Sequence, residues 1–170
     1  DIEEDDDVYV VAQYRSSKYY AIVVEVDPDG SSSSGDGDYV VYKADLADVD
    51  ASDDEIKIKS IYEMDGGWDK VSGTKTFDVA SNVDIYDEYG DEIDLDDLED
   101  DYIGETVYIV YDNDEDEVVK ICVQYGTEYK YDDTVYSTGS KYFKLDKAGK
   151  NIYYADNTIV LSDGDIIDPE

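Results

Sequence analysis

The sequence predicts an all-β fold: small antiparallel β-barrel or sandwich units, repeated in tandem and carrying long acidic loops. Three observations lead there. The chain has 19 Val and 14 Ile against 5 Leu, with 19 Tyr besides, a β-branched and aromatic bias that suits strands and not helices. Apolar residues alternate with polar ones at period two, as in Ile56 and Ile58 against Lys57 and Lys59. Turn signals recur at close, regular spacing, the habit of sandwiches and barrels. The mean hydropathy of −0.59 and formal charge of −34 lie near the border of intrinsic disorder. Tyrosine lowers that average misleadingly, since its ring packs as an apolar body while its hydroxyl scores as polar.

Taken in order, Val8 to Tyr14 and Tyr19 to Asp27 form the first strand pair, joined by the polar connection Arg15-Ser16-Ser17-Lys18. Asp27-Pro28-Asp29-Gly30, four serines and Gly35-Asp36-Gly37-Asp38 then mark an exposed loop over 28–37. Strands are expected at Asp38 to Leu46 and Glu55 to Met64, and Gly66-Gly67 breaks the chain. Thr74 to Ala80 and Val83 to Asp87 are two short strands, followed by a turn at Tyr89-Gly90-Asp91 and a strand from Glu92 to Leu95. Asp94 to Asp101 makes at most one helical turn, because it holds too few apolar residues for more. Glu105 to Tyr111 and Val118 to Gln124 alternate cleanly around an acidic hairpin tip, and shorter strands follow near Thr134, Tyr142, Asn151, Thr158 and Asp165.

Two internal matches suggest repetition. Phe77-Asp78-Val79-Ala80-Ser81-Asn82 lies on Ile152-Tyr153-Tyr154-Ala155-Asp156-Asn157, and Val8-Tyr9-Val10-Val11 lies on Val107-Tyr108-Ile109-Val110. The chain thus reads as the end of one unit, one whole unit and the start of the next. The expected division is a main β domain over 1–125 and a smaller β segment over 126–170 that begins a second unit.

Composition excludes several classes of function. With 13 Lys+Arg against 47 Asp+Glu the chain lacks the basic footprint that nucleic acid or an anionic membrane face requires. It has no His, one Cys and one Arg, so thiolate zinc sites and Ser-His-Asp triads each lack a part. No apolar run is long enough to span a bilayer. Position 1 is Asp and no signal peptide precedes it, which reads as a processed protein or an excised segment.

Metal binding is the chemistry such a composition invites. Asp112, Asp114 and Asp116 set three carboxylates at alternate positions on a hairpin tip, the opening spacing of a calcium loop, and calcium is the ion they would take. Position six of that loop is Glu117 where glycine is required, and position twelve is Val123 where glutamate is required. Further acidic turns lie at Asp27, Asp29, Asp36 and Asp38, and from Asp94 to Asp101. With 47 carboxylates in 170 residues such clusters must arise somewhere, so any one of them reads first as a solvated turn.

The tyrosines Tyr19-Tyr20, Tyr86-Tyr89, Tyr125-Tyr129-Tyr131 and Tyr153-Tyr154 are either aromatic platforms for sugar rings or cross-strand packing partners. Trp68 is an exposed anchor or a core residue, and Cys122 reads as an inert small side chain. Catalysis would have to come from carboxylates alone, and nothing singles out a pair, so no enzymatic role is expected.

One stretch carries a resemblance. Val83-Asp84-Ile85-Tyr86-Asp87, Gly90-Asp91-Glu92-Ile93, Leu95-Asp96-Asp97-Leu98, Gly104-Glu105-Thr106-Val107-Tyr108-Ile109-Val110-Tyr111-Asp112 and Val118-Val119-Lys120-Ile121 together resemble the small repeated β-domains of bacterial surface-layer (S-layer) proteins. Such domains follow wall-anchoring S-layer homology modules, and this chain contains none. The resemblance implies an extracellular, cell-surface structural role, assembly with copies of itself into a lattice or filament, and calcium dependence. The expectation is therefore a secreted, non-enzymatic β protein that self-associates through strand edges. The alternatives are a cell-surface carbohydrate-binding module facing a cell-wall polysaccharide, and a soluble acidic protein of a saline habitat.

Overall fold

The computed structural model describes residues 1–28 and 38–169; the expected loop 28–37 lies, apart from Pro28, outside them. The all-β expectation holds: among the described residues fourteen strands form two seven-stranded sheets, with one short helix beside them in sequence. The division of the chain differs from the expected one. The described residues group into unit 1, over 1–28 and 125–169, and unit 2, over 38–124. The first strands belong with the C-terminal part because they pair with it.

Unit 1 contains β1 (Asp7–Arg15), β2 (Lys18–Val26), β10 (Glu128–Gly139), β11 (Tyr142–Leu145), β12 (Asn151–Tyr153), β13 (Ile159–Ser162) and β14 (Asp165–Ile167). Strand β1 is antiparallel to both β2 and β10, running against the latter from Asp7↔Thr134 to Gln13↔Glu128. Strands β10, β11 and β12 form an antiparallel meander. The outer edge of β2 is shared by two parallel partners, β12 at Tyr19 and Tyr20 and β13 from Val23 to Val26. The pairings therefore run in a ring, β1–β2–β12–β11–β10 and back to β1. Inside it pack Val8, Val10, Val24, Phe143, Leu145 and Ile152, all buried. The chain was expected to be antiparallel throughout, but a strand that meets another across more than a hundred residues is not bound to hairpin polarity.

The β1–β2 connection is tighter than the expected four residues. Arg15 pairs with Lys18, and Ser16 (φ 51°) and Ser17 (φ 65°) form a two-residue turn. Two left-handed residues in succession give the turn a twist that matches the flanking strands.

Asp133 organises the far side of unit 1. It is 5% exposed, and its carboxylate accepts backbone N–H groups from Thr134 (2.8 Å), Lys147 (3.0 Å) and Ala148 (2.9 Å), which fixes the β11–β12 turn against β10. Burial works to raise its pKa, but the three N–H donors outweigh burial and hold it below the ordinary 3.8. A depressed folded value stabilises the fold above the ordinary carboxylate range, and this contribution is lost as pH falls through the folded value. Asp133→Asn should accordingly cost unit 1 about 1–3 kcal/mol at neutral pH. In urea melts from pH 7 down to about pH 2, the gap between wild type and variant should close on the acid side; a pH-independent gap would show that the charge is not what matters.

Unit 2 contains β3 (Tyr39–Asp50), β4 (Glu55–Met64), β5 (Trp68–Val71), β6 (Lys75–Tyr86), β7 (Glu92–Ile93), α1 (Leu95–Asp101), β8 (Thr106–Asp112) and β9 (Glu117–Val123). Strand β5 was not expected. It is the return strand of a hairpin whose turn is Asp65-Gly66-Gly67, with Trp68 opposite Met64 and Val71 opposite Ile61. The two short strands expected over 74–87 are one strand, β6, irregular between Val79 and Asp84 in its pairing with β9. Its first half pairs with β4 and its last residues with β7.

These pairings also form a ring, β3–β4–β6–β9–β8 and back to β3, in which only β6–β9 is parallel. The two rings share one cyclic pattern: β10, β11, β12, β1 and β2 stand where β3, β4, β6, β8 and β9 stand. The sequence matches noted above fall on corresponding strands, β12 with β6 and β1 with β8. In unit 2 the five strands come from one continuous stretch; in unit 1 they come from two.

Helix α1 has seven residues, about two turns and so longer than the single turn expected. Asp94 caps it, accepting from Asp97 N–H at 2.9 Å while the Asp97 carboxylate accepts from Asp94 N–H at 3.2 Å, and Leu98 is its one buried side chain. Leu98 joins a core with Leu46, Ile58, Ile85, Ile109 and Ile121.

Candidate functional site

The acidic hairpin tip lies between β8 and β9, where Asp112 pairs with Glu117. Asp112 Oδ1 accepts from the backbone N–H of Asp114 (2.9 Å) and Glu115 (3.3 Å), so its carboxylate shapes the turn. Asp116 closes the loop in a left-handed conformation (φ 53°), and its Oδ1 accepts from the Tyr111 hydroxyl at 3.2 Å. Asp112, Asp114 and Asp116 thus share a tip, but among the described residues no group of three or more His, Cys, Asp or Glu side chains is arranged to hold a metal ion. Asp94 and Asp97 are likewise engaged in capping, and Asp87 Oδ1 accepts from Tyr89 and Asp91 N–H, both at 2.9 Å. Backbone N–H groups are thus partners of the Asp87, Asp94, Asp97 and Asp112 carboxylates. Asp27 follows β2 with φ 51°, while Asp29 and Asp36 lie outside the described residues.

Cys122 is fully buried in β9, and burial pushes its thiol up to about 12 despite Lys120 nearby. A thiol so protonated is a poor nucleophile. Trp68 is half-buried on β5 and stacks on the buried Tyr108 with ring centres 5.9 Å apart, so it is part of the packing of unit 2.

The aromatic residues of unit 1 form two sets, because neighbouring residues of a strand face opposite sides. Tyr19 packs against the core with Tyr131, and its ring meets Tyr14 (4.8 Å), Tyr129 (5.4 Å) and Tyr131 (6.4 Å), with Lys150 Nζ 4.7 Å from its centre. Tyr14 and Tyr129 are exposed. On the other side of β2, Tyr20 is level with Tyr153 of β12, which is level with Tyr142 of β11. Their ring centres are 6.1 and 5.5 Å apart, and all three are half-buried. Arg15, the chain's sole arginine, lies 4.1 Å over the Tyr20 ring, and Lys18 Nζ lies 4.7 Å over that of Tyr153. This is a row of three tyrosines bearing two cations on the hairpin turn of an otherwise acidic chain.

Of the tyrosines marked in the sequence, Tyr20 and Tyr153 join this row. Tyr154 instead packs inward on Phe143 at 5.7 Å, and Tyr86 has Lys120 Nζ 5.4 Å from its ring centre. The sequence reading missed Tyr142, Arg15 and Lys18 as members. The β1–β2 register alone would have placed Arg15 and Lys18 together, but nothing local brings β11 and β12 beside β2.

Comparison with protein-family models, with curated proteins and with solved structures returns no match, so the functional reading rests on this geometry and on the composition.

Proposed function

We propose that the protein is an extracellular, non-enzymatic structural component that self-associates into a surface layer or filament. The observation that carries this reading is the make-up of unit 1, where strands from opposite ends of the sequence complete one ring of pairings. A chain with a hairpin at one end and the strands that need it at the other is suited to assembly by strand completion. The shared cyclic pattern of the two rings supports a tandem-repeat architecture, and the resemblance to S-layer β-domains points the same way.

The acid excess sets the conditions. Exposed carboxylates within a Debye length of roughly 8–10 Å repel one another, and salt, divalent cations or lysines of a neighbouring copy relieve this. Calcium enters the proposal here, by drawing together carboxylates from neighbouring copies. Negative-stain microscopy and static light scattering, with sodium and calcium compared at equal ionic strength, test the reading. Ordered sheets or filaments favoured by calcium are expected, and a chain that stays monomeric at all concentrations in both salts would refute self-association.

A second reading, a cell-surface carbohydrate-binding module, is favoured by the row Tyr142–Tyr153–Tyr20. The cyclic strand order of each ring, with a short helix before the fourth strand in unit 2, is similar to that of small Greek-key barrels of the oligonucleotide/oligosaccharide-binding type. Those bind ligands on the face of their second and third strands. In unit 1 the corresponding strands are β11 and β12, which carry Tyr142 and Tyr153. A rise in melting temperature with a wall polysaccharide that is lost in Tyr153→Ala would favour this reading over the first.

A further inference from the structure

We propose that the self-association works by exchange of the β1–β2 hairpin: β1 and β2 of one copy occupy, on β10 and β12 of a second copy, the places they hold within their own chain. This deepens the reading above and rests on it.

The geometry supplies the elements such an exchange requires. The hairpin and the β10–β12 meander are joined only through unit 2, which lies between them in sequence and has its own core. They are held together by antiparallel pairing from Asp7↔Thr134 to Gln13↔Glu128, by parallel pairing at Tyr19 and Tyr20, and by a shared core. The first residues reinforce this seam, Asp5 N–H donating to Val135 O and Val135 N–H to Asp6 O, both at 2.9 Å. Every one of these interactions is reproduced when the hairpin comes from a second copy. The closed and exchanged forms therefore differ chiefly in whether completion is intramolecular, and an intramolecular partner is matched once neighbours reach its effective concentration, on the order of millimolar for flexibly joined segments. Packing at a surface supplies such a concentration. Donor hairpin and acceptor meander are different surfaces, so successive exchange is head-to-tail and, where the rotation does not close, builds an open filament.

The seam also offers a test. Thr134 Oγ1 donates to Asp7 Oδ1 at 2.9 Å across β1 and β10, and directly opposed strand residues have the Cα spacing a disulfide needs. Asp7→Cys and Thr134→Cys are made in the full chain, singly and together. The double variant, oxidised while dilute and monomeric, carries an internal lock and should lose assembly, regaining it on reduction. The two single variants, mixed and concentrated under assembly conditions, should form a disulfide between copies, a linkage that a closed chain cannot make. If the locked chain assembles as wild type does and the mixed variants stay unlinked, exchange is overturned while self-association stands. If the reduced double variant and wild type never assemble, the wider reading fails with it.

Discussion

Removal of residues 1–15 should abolish the fold of unit 1 and leave unit 2 intact. Strand β1 contributes Val8, Val10 and Ala12 to the core of unit 1, each fully buried. Burying a valine contributes about 1.5–3 kcal/mol, so two of them come to about 3–6 kcal/mol, a large share of the roughly 5–15 kcal/mol that holds a typical domain together. The deletion also strips β10 of its partner over Glu128 to Thr134, and β2 of its partner over Lys18 to Val26. Backbone groups lost from such ladders have no substitute except water. Calorimetry should then show only the unit 2 transition, and amide exchange should be fast throughout 125–169. Adding a peptide of residues 1–28 should restore protection there. A truncated chain that keeps both transitions would show that the β1 seam does not hold unit 1.

The second large effect is expected at Leu98. A helix of seven residues is too short to persist alone in water, and α1 is attached through a capping box at Asp94, Leu98 in the core, and Glu99, whose Oε2 accepts the Ala51 N–H at 2.6 Å. Leu98→Ala leaves a cavity between Leu46 and its neighbours and should cost unit 2 about 2–5 kcal/mol. Removing the cap by Asp94→Ala should cost less, about 0.5–2 kcal/mol. Urea midpoints for unit 2 should follow that order. Equal losses would mean that α1 is held by its end and not by its buried face.

Much of this architecture is visible in the sequence where pairing is local. Glu55–Met64, Tyr142–Leu145 and Asp165–Ile167 stand where alternation and turn residues place them, and the acidic turn near Asp94 is helical. Strand β5 escaped notice because four residues give alternation little room and Gly66-Gly67 reads as a break when it is a turn. The first half of β10, Glu128-Tyr129-Lys130-Tyr131-Asp132-Asp133, was hidden by its charge, although β1 covers its backbone. The boundary near residue 125 was legible, but the allegiance of residues 1–28 was not: it depends on pairing between Asp7 and Thr134, which no local pattern encodes. For the same reason the repeat signal located corresponding strands without showing that the two outer fragments complete each other. At the hairpin tip the spacing of Asp112, Asp114 and Asp116 was legible, while the engagement of Asp112 by backbone N–H and of Asp116 by the Tyr111 hydroxyl follows from the turn itself.

The interrupted make-up of unit 1 also has a bearing on its birth. A chain made from its N-terminus presents β1 and β2 to solvent long before β10 exists. Roughly 100 residues separate them, and at about 5–20 residues per second the hairpin waits on the order of 5–20 s. A lone hairpin is barely stable in water, and its open edges invite any strand that passes. Unit 2 has all its strands in one stretch and can finish within that interval. Unit 2 is thus complete before the ring of unit 1 can close, and the hairpin passes those seconds without the strand that covers it.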